Sequence, residues 1–211
     1  EQRWMSAHPR VRVAIDESYL PLTFFNDEGD FRGISADVLA KVALRTGFKF
    51  DIQRTHSVEE MVEQIRTNDA DLLISLTPST AREESLRFTR PYISTPYVLV
   101  TRTTPDSPLT LDDMSGKRLA IIHSNPVREF LVEQHRDIKL EEAGNAQVAM
   151  DIVANGQADA AVNSLITARY MISRQYRDLL RITSTVGTQS ARTAFATSRG
   201  ELELYSIMEK A

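Results

Sequence analysis

The sequence predicts an α/β fold built as two lobes, each a mostly parallel sheet with helices on its faces, and three observations carry that expectation. Short apolar runs recur along the chain and end in hydroxyl-rich or acidic loops, as buried parallel strands do. Amphipathic stretches that begin at capping residues alternate with them. The order β-α-β-α-β is written once before a proline-bearing connector at 104–108 and again after it. The expected boundaries are 1–100 plus 194–211 for the first lobe and 104–184 for the second, with crossovers at 101–103 and 185–193. Paired crossovers make a hinge.

Each element has a local reason. Residues 1–10 read as a short helix stopped at His8-Pro9, because the residue before proline is pushed out of the α region, and Trp4 packs back on the domain. Val11–Ile15 is the first strand, and Asp16 stands at its exit. Asn26-Asp27-Glu28-Gly29-Asp30 is a turn with glycine where φ must be positive. A helix over 36–46 places Val38, Leu39, Val42 and Ala43 on one face and stops at Gly47. After a strand over 48–54, Ser57 caps a helix whose Val58, Met61, Val62 and Ile65 face inward. Leu72-Leu73-Ile74 is a buried strand, and 97–101 is an unbroken β run. In the second half, Thr110 caps a single turn and 119–122 is a strand. Asn125-Pro126 start a helix with asparagine as cap and proline at its first position. A strand at 138–140, a helix at 145–155 stopped by Gly156, a strand at 158–162 and a helix at 165–175 complete that half. Residues 180–198 alternate only weakly, and 201–210 is a closing helix.

Composition narrows the function. A formal net charge of −4 over 211 residues, with no basic stripe, argues against nucleic acid as a partner. There are no cysteines, so disulfides and thiolate metal sites are excluded. No apolar run approaches the roughly twenty residues of a membrane helix. The closing helix runs to the last residues, which predicts an excised domain with targeting and membrane segments outside it. His8, His56, His123 and His135 lie apart with no i, i+4 pair, so neither a metal site nor another cofactor is expected. Catalytic signatures such as G-x-S-x-G or a Gly-rich phosphate loop are missing.

The stretch from Asp71 to Tyr92, DLLISLTPSTAREESLRFTRPY, carries the chemistry. A buried strand ends in Ser75, Thr77, Pro78, Ser79 and Thr80, and Arg82 then follows one turn into a helix. Loops at the carboxyl ends of strands in open α/β sheets collect ligands, because backbone N–H groups and hydroxyls converge there. An arginine at that point offers a planar fork of donors to a carboxylate. The bland alternative is that Arg82 pairs with Glu83 or Glu84 at the surface and that Ser79 only caps its helix.

Several motifs fall in one order along nearly the whole chain: Asp16-x-x-Tyr19-x-Pro21, Asp27-Glu28-Gly29, Gly33 before a helix, Asp69-Ala70-Asp71-Leu72, Thr77-x-Ser79-x-x-Arg82, Phe88-x-x-Pro91-Tyr92, Leu111 to Gly116, and Gly156-x-x-Asp159-Ala160. The chain resembles the family 3 solute-binding proteins, the Venus-flytrap domains of the periplasmic-binding-protein-like II fold that bind polar amino acids. With Trp4-x-x-x-His8-Pro9 ahead of its first strand, it is similar to the periplasmic sensor domains of unorthodox hybrid histidine kinases.

The resemblance implies a small carboxylate or amino-acid ligand in the cleft between the lobes. Arg82 would grip its carboxylate, and Thr77 with the backbone of Ser75 and Ser79 would bind its ammonium and carboxylate oxygens. Tyr19 would form an aromatic wall with Asp16 behind it. The second lobe would offer Ser124, Asn125 and Ser164, with Asn163 and His123 beside them at strand exits. His123 reads more readily as a hydrogen-bonded structural histidine than as a ligand group. The chain departs from the pattern where amino-acid binders carry an aspartate for the α-ammonium, since this chain has Ser164. Pro126 also lacks an N–H for an anion. Losing a charge-assisted contact weakens binding by about 1.5–3 kcal/mol, so the pattern favours a carboxylate more than it favours an amino acid. The implied protein is the periplasmic part of an inner-membrane sensor kinase, tethered through a C-terminal segment, and it is compatible with a homodimer. The domain itself would be no enzyme; a catalytic role would need a general acid from Asp16, Glu17 or His123. A free binding protein of an amino-acid transporter is the alternative reading.

Overall fold

A computed structural model describes residues 1–123 and 125–211, in two units. Unit 1 comprises Glu1–Glu17, Leu22–Ile93 and Arg192–Ala211; unit 2 comprises Ser18–Pro21 and Ser94–Ala191. The chain passes between the units after Glu17, Pro21, Ile93 and Ala191.

Unit 1 begins with α1 (Gln2–Ala7), β1 (Arg10–Asp16), the hairpin β2 (Phe24–Phe25) and β3 (Phe31–Arg32), α2 (Ile34–Thr46), β4 (Lys49–Thr55), α3 (Val58–Arg66), β5 (Leu72–Leu76), α4 (Thr80–Glu83) and β6 (Leu86–Phe88). The local signals act as their chemistry requires. Gly29 and Gly47 take positive φ, and the Ser57 hydroxyl accepts the Glu60 N–H at the start of α3. β1 pairs in parallel with β4 and with β5. Its Val13 and Ile15, with Leu72 and Ile74 of β5, join Leu39 and Val42 of α2 in one cluster, while Ala14 and Leu73 face Met61 and Ile65 of α3 in another. Both faces of these strands are covered, which is why their sequences read as apolar without alternation. Trp4 is partly buried against the first cluster and stacks on His8 at 4.4 Å.

β7 (Ile93–Arg102) leads into unit 2, where a 3-10 turn (Leu111–Met114), β8 (Arg118–Ile122), α5 (Val127–Gln134), β9 (Lys139–Ala143), α6 (Ala146–Ala154), β10 (Ala160–Ser164) and α7 (Leu165–Arg174) follow. β8 pairs in parallel with β9 and β10, and β10 pairs antiparallel with β7. Two apolar clusters again cover the two faces, one with α6 and α7 and the other with α5. The mostly parallel α/β architecture read from the sequence is the one the chain adopts.

Two expectations need correction. The strand expected at 158–162 is β10 at Ala160–Ser164, because the N–H groups of Gln157 and Ala158 are used by the Ile152 carbonyl at the end of α6. Asn163 and Ser164 therefore end the strand instead of following it. The weakly alternating segment is one strand, β11 (Leu180–Ser198), which lies beside β7 in unit 2 and beside β5 and β6 in unit 1 before α8 (Leu202–Lys210) closes unit 1. Its alternation fails because Gly187 has φ +64° and a bulge against β5 shifts the pairing register.

Candidate functional site

In unit 1 the strand exits line up. The parallel register sets Asp16 opposite Thr55, and the pairing of Val13 with Leu72 and Ala14 with Leu73 runs on toward Ser75. Asp16 is buried, and its backbone carbonyl accepts the Thr23 hydroxyl at 2.5 Å. One residue on, Glu17 lies 2.8 Å from His56 Nδ1 and 3.8 Å from Arg54, whose guanidinium sits 3.6 Å over the Phe25 ring.

Ser75 is buried at 6% exposure with φ +64°, a left-handed backbone that costs a residue with a Cβ about 1–2 kcal/mol. The loop beyond it is organised by Ser79 and Arg82. The Ser79 hydroxyl accepts the Arg82 N–H at 3.3 Å, which caps α4. The Arg82 guanidinium turns back and donates to the Thr77 carbonyl at 2.7 Å, with only 9% of the residue exposed. Arg82 thus lies largely out of water and braces the Thr77–Ser79 loop. Charge held in partly desolvated surroundings interacts strongly with an arriving carboxylate, because less water screens it.

In unit 2, β8 and β10 pair in parallel through Leu119 with Ala160 and Ala120 with Ala161, and His123 follows the end of β8 while Ser164 ends β10. His123 is exposed and its Nδ1 lies 2.6 Å from Glu142, which Arg128 also contacts at 3.2 Å. The His123 hydrogen bond, helped by Arg128, holds the Glu142 carboxyl below its usual range. The Asn125 side chain accepts the Val127 N–H at 2.9 Å, so it does satisfy the start of α5, while Pro126 already has helical dihedrals. Asn163 is buried and donates weakly, at 3.5 Å, to the Ala146 carbonyl. Ser164 is buried and accepts the Thr167 N–H at 3.4 Å as the N-cap of α7. The Thr167 hydroxyl is itself buried without a hydrogen-bond partner among the described residues. Tyr19 is grouped with unit 2 and packs, partly buried, against the α6–α7 cluster. Ser124 lies outside the described residues.

The sequence-predicted residues therefore fall in two sets. Asp16, Ser75, Thr77, Ser79 and Arg82 are brought to one edge of unit 1, and Tyr19, His123, Asn125, Asn163 and Ser164 belong to unit 2. Among the described residues, no helix is long and apolar enough to cross a membrane.

Residues 11–211 match the bacterial extracellular solute-binding proteins, family 3. The chain belongs to that family. As a family 3 domain it is 40% identical, over 211 residues and its whole length, to the virulence sensor protein BvgS of Bordetella pertussis. It is 31% identical over 212 residues to the sensor protein EvgS of Escherichia coli K12. The chain spans only 17% and 18% of the lengths of these two relatives. The crystal structure of the periplasmic VFT2 domain of Bordetella pertussis BvgS superposes with a TM-score of 0.93 at 40% identity, covering 99% of this chain and 89% of that one.

Two residues of this family 3 domain, Ser35 buried and Tyr92 partly buried, escaped the reading of candidate site residues. Ser35, in the first turn of α2, and Tyr92, after β6, both reach Ser75: the Ser75 hydroxyl donates to Ser35 Oγ at 2.6 Å, and Tyr92 Oη lies 2.8 Å from Ser35 Oγ and 3.4 Å from Ser75 Oγ. Burial pushes the Tyr92 phenol up, and the Ser35 and Ser75 hydrogen bonds only partly offset that. The one available signal was the Phe88-x-x-Pro91-Tyr92 motif, which marks Tyr92 without saying what its hydroxyl meets.

Proposed function

We propose that this chain is the periplasmic ligand-sensing domain of an inner-membrane, two-component sensor histidine kinase. Its likeness to a domain of a virulence sensor protein from end to end, at 40% identity, supports this reading most directly. The domain binds and does not turn over; the kinase activity belongs to parts of the full-length protein beyond this chain.

The ligand we propose is a small carboxylate, held in unit 1 by Arg82 with Thr77 and Ser79. The observation that carries this assignment is that Arg82 is buried and turned onto the Thr77 carbonyl at a strand exit. A ligand shifts a sensor between states only by its differential affinity for them, so the first question is which acids bind. Thermal unfolding with matched pairs, L-glutamate and glutarate, L-alanine and propionate, L-phenylalanine and 3-phenylpropionate, separates the carboxylate from the α-ammonium. A ligand at a hundredfold excess over its Kd stabilises by about 2.7 kcal/mol. At least one amine-free acid is expected to raise the unfolding temperature. A melting temperature indifferent to all six overturns the assignment.

A further inference from the structure

The exit of β5 is held in a conformation that its own residue type disfavours. Two residues of β5, Ile74 and Ser75, stand opposite the single Phe195 of β11, since Leu73 pairs with Ala196 and Leu76 with Ala194. That is a bulge whose second residue has left-handed backbone, a conformation for which glycine is the ordinary choice and which this chain gives to a buried serine. Strained backbone of this kind persists only where the surroundings over-determine it.

The surroundings here are the hydroxyls of buried Ser35 and Ser75, the hydroxyl of the partly buried Tyr92, and the Tyr92 ring. Ser75 Oγ donates to Ser35 Oγ at 2.6 Å, and Tyr92 Oη completes the triangle at 2.8 Å and 3.4 Å. Ser35 is fully buried in the first turn of α2. The Tyr92 ring packs on Phe195, the residue facing the bulge, with centroids 5.0 Å apart, and the Tyr92 N–H is fixed on the Thr193 carbonyl at 2.9 Å. Both ends of Tyr92 thus address the bulge: the ring from the β11 side and the hydroxyl from the β5 side. Two residues beyond Ser75 comes Thr77, whose carbonyl receives Arg82.

We propose that Tyr92 and Ser35 are positioning residues that lock Ser75 in its left-handed backbone and thereby set the Thr77–Arg82 loop. They touch no ligand. Their work is to hold a bulge that aims the carboxylate-binding loop, and the part that concerns ligand rests on the function proposed above.

Glycine supplies the test, because it adopts positive φ without a lock. Hydrogen exchange of the 73–83 segment is compared in the wild type, Tyr92→Phe, Ser75→Gly and the double variant, with no ligand present. Tyr92→Phe keeps the ring on Phe195 and removes only the hydroxyl. It is expected to speed exchange of the Leu76 and Thr77 amides about tenfold, the equivalent of 1.4 kcal/mol. In the Ser75→Gly background the same substitution is expected to change exchange less than about twofold, since no strain is left for the hydroxyl to hold. Unchanged exchange in Tyr92→Phe, or an equal acceleration in both backgrounds, overturns the proposal. Ser35→Ala serves as a second perturbation with the same expected pattern. Glutarate and 3-phenylpropionate titrations of the four proteins form a separate arm, in which affinity should follow exchange. If neither acid binds the wild type, the ligand reading fails while the exchange cycle still decides the lock.

Discussion

Asp71→Asn probes the clamp that ties β1 to β5 at the end of the sheet opposite the ligand loop. Asp71 takes a two-pronged hold from Arg12, with Nη2 to Oδ1 at 2.6 Å and Nε to Oδ2 at 3.1 Å, and it also accepts the Arg12 backbone N–H at 2.8 Å. Burial alone would raise the Asp71 carboxyl, but the Arg12 hydrogen bonds and charge outweigh it and leave it below the usual range. Hydrogen bonds to a charged group contribute about 1.5–3 kcal/mol when well buried. The side chains here are 39% and 29% exposed, so solvent discounts that figure. Asparagine keeps one acceptor and loses the charge, and the expected cost is about 1–2 kcal/mol at pH 7, or roughly 3–6 °C in melting temperature. The carboxyl is depressed in the folded state, so its contribution is present above the unfolded value of about 3.9 and is lost as pH falls through the folded one. Urea unfolding of both proteins at pH 7 and near the acid limit measures the gap. It should close in acid. An equal gap at both pH values, or none at pH 7, refutes the clamp.

Four further outcomes follow from the same geometry. Ser79→Ala removes the α4 cap beside Arg82 and should cost about 1 kcal/mol by urea unfolding, with carboxylate affinity falling alongside. Gly187→Ala forces a Cβ to within 3.4 Å of the Phe130 ring at a residue with φ +64°, and its melting temperature should drop more than that of Gly200→Ala, where the space is open. Tyr92 and Tyr176 are both raised, Tyr176 first by burial and then by its hydrogen bond to Asp151, so these two tyrosines should stay protonated through the ordinary phenol range in an ultraviolet titration. Stability from these two is full below about pH 10 and is lost as pH rises toward their folded values. Ser164→Asp keeps an N-cap acceptor on α7, whereas Ser164→Ala loses it and should cost about 1 kcal/mol by urea unfolding.

Much of the fold was legible because each unit is built from signals that act locally. Gly29, Gly47, Ser57 and Asn145 do at their turns and caps what their side chains, or the lack of one, dictate. The buried runs at 72–74 and 119–122 are strands covered on both faces. What was hidden depends on tertiary partners. β11 reads as a weak pattern because a glycine and a bulge reset its phase, so only pairing with β5 and β7 reveals one strand. The burial of Arg82 was likewise unreadable, since Arg-Glu-Glu spells a surface helix start and the fold, not the spacing, removes the arginine from water. Ser75 was singled out from its place after an apolar run, but its left-handed backbone and its ties to Ser35 and Tyr92 join positions 40 and 17 residues away. His123, named among the second-lobe candidates, is exposed and hydrogen-bonded to Glu142, a partner that no sequence spacing identifies.

The central claim is that Arg82 grips a carboxylate, and calorimetric titration of the binding acid into the wild type, Arg82→Lys and Arg82→Ala tests it most directly. Losing a charge-assisted contact of about 1.5–3 kcal/mol predicts a fall in affinity of roughly tenfold to over a hundredfold in Arg82→Ala. Arg82→Lys keeps the charge without the planar fork and should lie between the two. Equal affinity in all three folded proteins would contradict the account.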